Sequence, residues 1–238
     1  MHQVKALVFD VFGTLVDWRT SIARESKAVL APFGISIDWF VFADAWRNLY
    51  QPAMNEIRSG RIAFSKLDRL HRRNLDAILS EYRMDHVDEA SRCLLNLAWH
   101  RLDAWPDVGP GLNALRTRYL LAPCSNGNIS LMVDLARRNG FTWDAILGAE
   151  LARNYKPDPA VYLSAADAFD LQPAQTMMVA AHSSDLSAAA AAGLQTAFVA
   201  RPDEFGRGKG EAAPTVAVDI SVSSIVDLAG VLARSAGT

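Results

Sequence analysis

The first clear signal along the chain is the apolar run Val4-Lys5-Ala6-Leu7-Val8-Phe9, rich in β-forming residues and followed shortly by Gly13. This predicts a buried strand that ends in a loop, with Asp10 at its carboxyl end. From about Thr20 to Arg101 the pattern changes to a helical period, with Trp39, Phe42, Ala43, Trp46 and Tyr50 recurring at spacings of three and four. Three or four helices and no strand are predicted there. The turn-rich joint Trp105-Pro106-Asp107-Val108-Gly109-Pro110-Gly111 closes that stretch. Beyond it, strand-like segments at 119–123, 145–147, 176–181, 196–200 and 216–220 alternate with helical ones, as in a parallel sheet. The alanine run Ala188 to Ala192 favours a tightly packed helix, and Arg207-Gly208-Lys209-Gly210-Glu211 an exposed loop.

The order of elements predicts an α/β fold. A doubly wound, Rossmann-like parallel sheet is built from residues 1–15 and 103–238, and a helical domain, residues 16–102, is inserted after the first strand. Open parallel sheets bind ligands beyond the carboxyl ends of their strands. Asp10, Ser125 and Asp185 all fall at such ends.

Composition narrows the function classes. Half of the 238 residues are apolar and 21% are charged, enough to bury a core. With 24 Lys and Arg against 26 Asp and Glu, the net charge is -2. That leaves no basic excess for a nucleic-acid backbone or an anionic membrane. Cys93 and Cys124 are too few and too far apart for a disulfide framework or a closed zinc site, which fits a reducing compartment. No run approaches the roughly 18 apolar residues of a membrane span. The opening Met1-His2-Gln3-Val4-Lys5 lacks a secretion signal's long apolar segment, so a soluble cytoplasmic protein is expected.

Four segments can carry chemistry. In Asp10-Val11-Phe12-Gly13-Thr14-Leu15 the carboxylate can act as a nucleophile or simply cap a turn. Cys124-Ser125-Asn126-Gly127-Asn128 follows a strand and precedes a helix, so its amides and hydroxyl can bind an anion, or Asn128 can serve as the helix cap. Tyr155-Lys156-Pro157-Asp158-Pro159 sets an extended lysine ahead of a helix that starts at Asp158 and Pro159. Ala180-Ala181-His182-Ser183-Ser184-Asp185 ends another strand, with a helix cap at Ser183, Ser184 or Asp185 as the plain alternative.

Taken in this order, the four segments resemble the haloacid dehalogenase superfamily. Its members carry a nucleophilic aspartate, a strand-end Ser or Thr, a lysine and a final acidic motif. Most are magnesium phosphatases with a second aspartate two residues after the nucleophile, where this chain has Phe12, which cannot transfer a proton. The first acid of their final motif corresponds to Ala181. The resemblance that remains is to the L-2-haloacid dehalogenases, which displace halide without needing a leaving-group acid.

That resemblance implies Asp10 as nucleophile, Lys156 as its charge partner and Thr14 as a hydrogen-bonding support. Ser125, Asn126 and amides near Val11 and Phe12 would hold the substrate carboxylate, and Asp185 would position or activate the hydrolytic water. Trp46-Arg47 is similar to the family's cap-helix pair, whose arginine takes the departing halide. A surface ion pair with Asp44 is the alternative for Arg47. Phe12, Trp46, Tyr50 and Phe64 are candidates for an apolar wall, and Tyr162 for support of the site. His182 stands where better-known members have asparagine, and it can donate to Asp10 or to the water, or be structural. Ser184 replaces an aromatic residue.

The expectation is therefore a dehalogenase with no metal or other cofactor. It converts short L-2-haloalkanoates to D-2-hydroxyalkanoates plus halide through an aspartyl ester, its partners being the 2-haloacid and halide. A homodimer is implied by the resemblance alone. The alternatives are a magnesium phosphatase of a small phosphorylated metabolite and a binding protein without turnover.

Overall fold

The protein is described by a computed structural model covering residues 3–235, so Met1 and His2 of the N-terminal reading lie outside the described residues. The chain begins with β1 (Ala6–Phe9) and β2 (Val16–Asp17), then passes through α1 (Trp18–Leu30), α2 (Trp39–Asn48), α3 (Tyr50–Arg58), α4 (Leu67–Glu81) and α5 (Glu89–Asn96). It continues through β3 (Asp103–Ala104), α6 (Val108–Leu115), β4 (Leu120–Ser125), α7 (Ile129–Asn139), β5 (Leu147–Gly148), α8 (Ala149–Ala152) and α9 (Pro159–Asp167). The last elements are β6 (Thr176–Ala180), α10 (Ser183–Ala191), β7 (Gln195–Val199), β8 (Ile220–Val222) and α11 (Ile225–Ser235).

The main sheet runs β5-β4-β1-β6-β7-β8, with every pairing parallel. All four residues of β1 are buried, as expected of a strand covered on both faces. Period two sends Leu7 and Phe9 into one apolar cluster with Val108, Leu112, Leu131 and Leu228, and Val8 into another with Val161, Ala165, Leu186 and Ala189. Helices α6, α7 and α11 therefore cover one face, and α9 and α10 the other. This is the doubly wound α/β arrangement, and β1 lies between the strands of its two halves. Phe9 is in register with Pro123 of β4 and Val179 of β6, so the segments after all three strands open on one edge.

Helices α1 to α5 lie between β2 and β3. There are five of them rather than three or four, because Leu49 separates α2 from α3 and capping aspartates start α1 (Asp17), α2 (Asp38) and α5 (Asp88). Strands β2 and β3 pair antiparallel, Val16 with Ala104 and Asp17 with Asp103, which sets the two ends of the helical stretch side by side. The final strand is β8 and not residues 216–220. The Asp219 carboxylate accepts from the Thr196 amide at 2.8 Å, so main-chain pairing with β7 starts only at Ile220. No helix among the described residues is long and apolar enough to cross a membrane.

Candidate active site

Asp10 leaves β1 with its amide bonded to the Val179 carbonyl at 2.9 Å. The chain then folds back, the amides of Leu15 and Val16 both reaching the Val11 carbonyl. That turn brings the Thr14 hydroxyl to 2.7 Å from Asp10 Oδ2. Thr14 Oγ1 itself accepts the Ala181 amide at 2.9 Å, so the hydroxyl proton is free to point at Asp10. From behind, Arg201 Nε donates to the Thr14 carbonyl at 2.8 Å while its other nitrogens bind both oxygens of Asp107.

Lys156 is buried and reaches the site from a segment pinned at both ends. Its amide donates to Asn126 Oδ1 at 2.8 Å, its carbonyl accepts from Arg58 Nη1 at 2.6 Å, and its peptide bond to Pro157 is cis. Asp158 caps α9 as the sequence predicts, accepting from the Ala160 amide, with Pro159 at the first helical position. The Lys156 ammonium lies 2.9 Å from Asp10 Oδ1 and 2.5 Å from Asp185 Oδ2. Asp185 Oδ1 accepts from the Tyr162 hydroxyl at 2.5 Å. Burial works against charge on both Lys156 and Asp10, but the ion pairs prevail. The lysine is held well above its usual range, and Asp10 well below the usual carboxylate range by Lys156, His182 and Thr14.

His182 Nδ1 is 3.2 Å from Asp10 Oδ2, and its Nε2 is 2.8 Å from Glu204 Oε2. Burial lowers the affinity of the ring for a proton, yet the two carboxylates outweigh it and push its pKa up to about 10. His182, and none of the three residues after it, is the N-cap of α10, whose first amide is taken by Glu211.

A cavity of about 520 Å³ opens over these groups. The sheet edge contributes Asp10, Phe12, Asn126, Lys156, Tyr162, His182 and Asp185 to its wall, and α2 and α3 contribute Arg47, Asn48, Tyr50 and Gln51. The Arg47 guanidinium sits over the rings of Tyr50, Trp18 and Phe12 at 4.0, 5.3 and 5.7 Å. Its Nη1 is buried with no hydrogen-bond partner among the described residues. Asp44 is committed elsewhere, to a two-point pair with Arg19 at 2.7 Å, so the surface pair with Arg47 does not form.

Residues 4–193 match the haloacid dehalogenase-like hydrolases. The chain belongs to this family. Within it, the chain is 46% identical to a crystal structure of a defluorinating L-2-haloacid dehalogenase, covering 97% of this chain and 95% of that one at a TM-score of 0.94. A second L-2-haloacid dehalogenase structure is 44% identical over 97% and 99% of the two chains, at a TM-score of 0.93. Among curated relatives, (S)-2-haloacid dehalogenase 1 of Pseudomonas sp. strain CBS-3 is 28% identical over 211 residues, 86% of this chain and 89% of that protein.

Magnesium, the metal of the family's phosphatases, does not fit the donors of this haloacid dehalogenase-like chain. It needs about six oxygens, and here a lysine ammonium already bridges the two carboxylates. Phe12 and Ala181 bring no further acid, and no group of three or more candidate ligands is found among the described residues.

Five residues expected at the site do not line the cavity. Thr14, fully buried, reaches it only through its bond to Asp10. Ser125 is fully buried, its hydroxyl oxygen accepting the Gly127 amide at 3.0 Å. Val11 points into the core. Trp46 is buried against Trp99, its indole N–H on the His71 carbonyl at 3.0 Å. Phe64 packs on the Tyr155 ring and under Arg153. Cys124 is buried, and burial pushes its thiol up to about 12, which makes it inert. Glu204, Asn48, Gln51 and Phe205 went unrecognised in the sequence. The first follows Pro202-Asp203 in what reads as a solvated loop, and no local pattern marks it as buried.

Proposed function

We propose that this chain hydrolyses short L-2-haloalkanoic acids to D-2-hydroxyalkanoic acids plus halide, through a covalent ester on Asp10 and without a metal ion. Asp10, kept ionised by Lys156 and oriented by Thr14, attacks the halogen-bearing carbon from the side opposite the halogen. A carbon–oxygen bond forms, the carbon–halogen bond breaks, and the electron pair leaves with the halide, so the carbon inverts. Water then attacks the aspartyl carbonyl carbon. The hydroxy acid departs with the oxygen that came from Asp10, and the inverted configuration is kept.

The observation that carries this reading is Arg47, a cation among aromatic faces with one buried guanidinium nitrogen unpartnered, lining the same cavity as the nucleophile. Such a group stabilises negative charge as it appears on halogen, and Phe12 supplies no proton because halide needs none. The substrate carboxylate lies on the Asn126 side, with the amides of Val11 and Phe12. Phe12 and Tyr50, whose rings meet edge to face at 6.4 Å, form the apolar wall. Residues 16–102 act as a cap that keeps bulk water out until the ester exists. A cytoplasmic setting, supported by two cysteines that are both free, and pairing of two chains complete the proposal.

The test is halide release from L- and D-2-chloropropionate and from chloroacetate with EDTA present, beside phosphate release from small phosphate esters with magnesium. L-selective halide release unaffected by EDTA is expected. Phosphate release without halide release would overturn the reading.

A further inference from the structure

Resting on the ester mechanism above, we infer that His182, held by Glu204, is the base that takes the proton of the hydrolytic water, and that Asp185 instead serves to position Lys156. The imidazole spans two carboxylates of different fate. Asp10, 3.2 Å from Nδ1, becomes an ester, whereas Glu204, 2.8 Å from Nε2, does not. Glu204 is 2% exposed, and its other oxygen accepts the Trp18 indole N–H at 3.0 Å. It lies in the space left by the missing side chain of Gly13, whose φ is +86° and at which a Cβ would overlap the Glu204 carboxylate. The ring is therefore fixed from behind while its side chain, 22% exposed, stays open to the cavity. Asp185, the competing base, has Lys156 on one oxygen and Tyr162 on the other.

Esterification itself readies the base. While Asp10 is anionic it holds a proton on Nδ1, and once alkylated it is neutral, so the ring keeps only one of its two anions and yields the Nδ1 proton to solvent. Glu204 retains the Nε2 proton and thereby fixes the tautomer with the Nδ1 lone pair toward the ester. Nδ1 accepts the proton of the attacking water as the new carbon–oxygen bond forms at Cγ of Asp10. The tetrahedral intermediate then breaks its bond to the substrate oxygen, which takes that proton and leaves as the hydroxyl. The proton on the new Asp10 carboxyl passes to Nδ1 and restores the resting ion pair. One halide and one proton have left per turnover.

Rapid-quench halide release, with intact-protein mass measured on the same samples using L-2-chloropropionate, tests this. In H182Q the expected result is a halide burst of about one per site at the unmodified protein's rate. Ester should then accumulate and steady-state turnover fall roughly a hundred-fold or more. E204Q, which keeps the ring and serves should H182Q not fold, is expected to accumulate ester as well, with a smaller loss. D185N is expected to weaken the burst itself. A variant at either His182 or Glu204 that loses the burst, or turns over at the unmodified rate without ester, would overturn the inference. No halide from the unmodified protein would remove the dehalogenase reading and this one with it.

Discussion

At the proposed halide end of the cavity arginine and lysine are not equivalent, because the Arg47 guanidinium spreads its charge over a flat fork that stacks on Tyr50 and Trp18, whereas an ammonium is a compact, strongly hydrated point. Arg47→Lys is expected to lower kcat/KM for L-2-chloropropionate about a hundred-fold with the fold intact, measured by halide release beside circular dichroism. The charged groups also shape stability. Asp10 is held well below the usual carboxylate range, so its contribution is present at neutral pH and is lost only as the solution is acidified below that range. His182 is pushed from 6.5 up to about 10, so its contribution is complete below about pH 6.5 and disappears as pH rises toward 10. Urea unfolding at pH 6.5 and 9.5 should show a loss of stability that is smaller in His182→Gln. Asp10, Lys156 and Asp185 were legible in the sequence because each sits in a segment whose neighbours, Gly13-Thr14, Pro157-Asp158 and the end of β6, mark its place. Glu204 was not, since it is separated from His182 by 22 residues and only the turn of β7 into its loop joins them.

Between the elements, tight backbone fits decide more than side chains do. Gly148, the last residue of β5, has φ +118°, and a Cβ there would run into the Ser125 main chain. Gly148→Ala should therefore cost on the order of 1–3 kcal/mol, read from chemical denaturation, and displace Asn126 with the end of β4. The helical layer is fastened to the sheet edge at Tyr155, whose hydroxyl donates to the Ser65 carbonyl at 2.6 Å. Tyr155→Phe leaves that carbonyl without its donor and should lower stability by about 1 kcal/mol in the same assay. The alternation of apolar runs foretold β1, β4, β6 and β7 within a residue or two, since strands buried on both faces are continuous apolar segments. Strands β2 and β3 are two residues each and have no period to detect. The pairing of Asp219 with Thr196 that delays β8 is a long-range contact, invisible to local pattern.

In the molecule as a whole, the carboxylate proposed to attack belongs to the sheet, and Arg47, proposed to receive the leaving anion, belongs to the helical layer. An anion held by the unpartnered Arg47 nitrogen would sit in the cavity that both layers line. If Arg47 takes the halide as proposed, chloride ions already present in the medium should compete for that seat with the substrate's own halogen. Turnover should fall with sodium chloride and fall further with bromide, while sodium sulfate of equal ionic strength leaves it nearly unchanged. Because a bound ion favours the folded form, the same halides should raise the melting temperature where sulfate at matched ionic strength does so less. In brine the catalyst would be sturdier and slower at once, its own product acting as a brake.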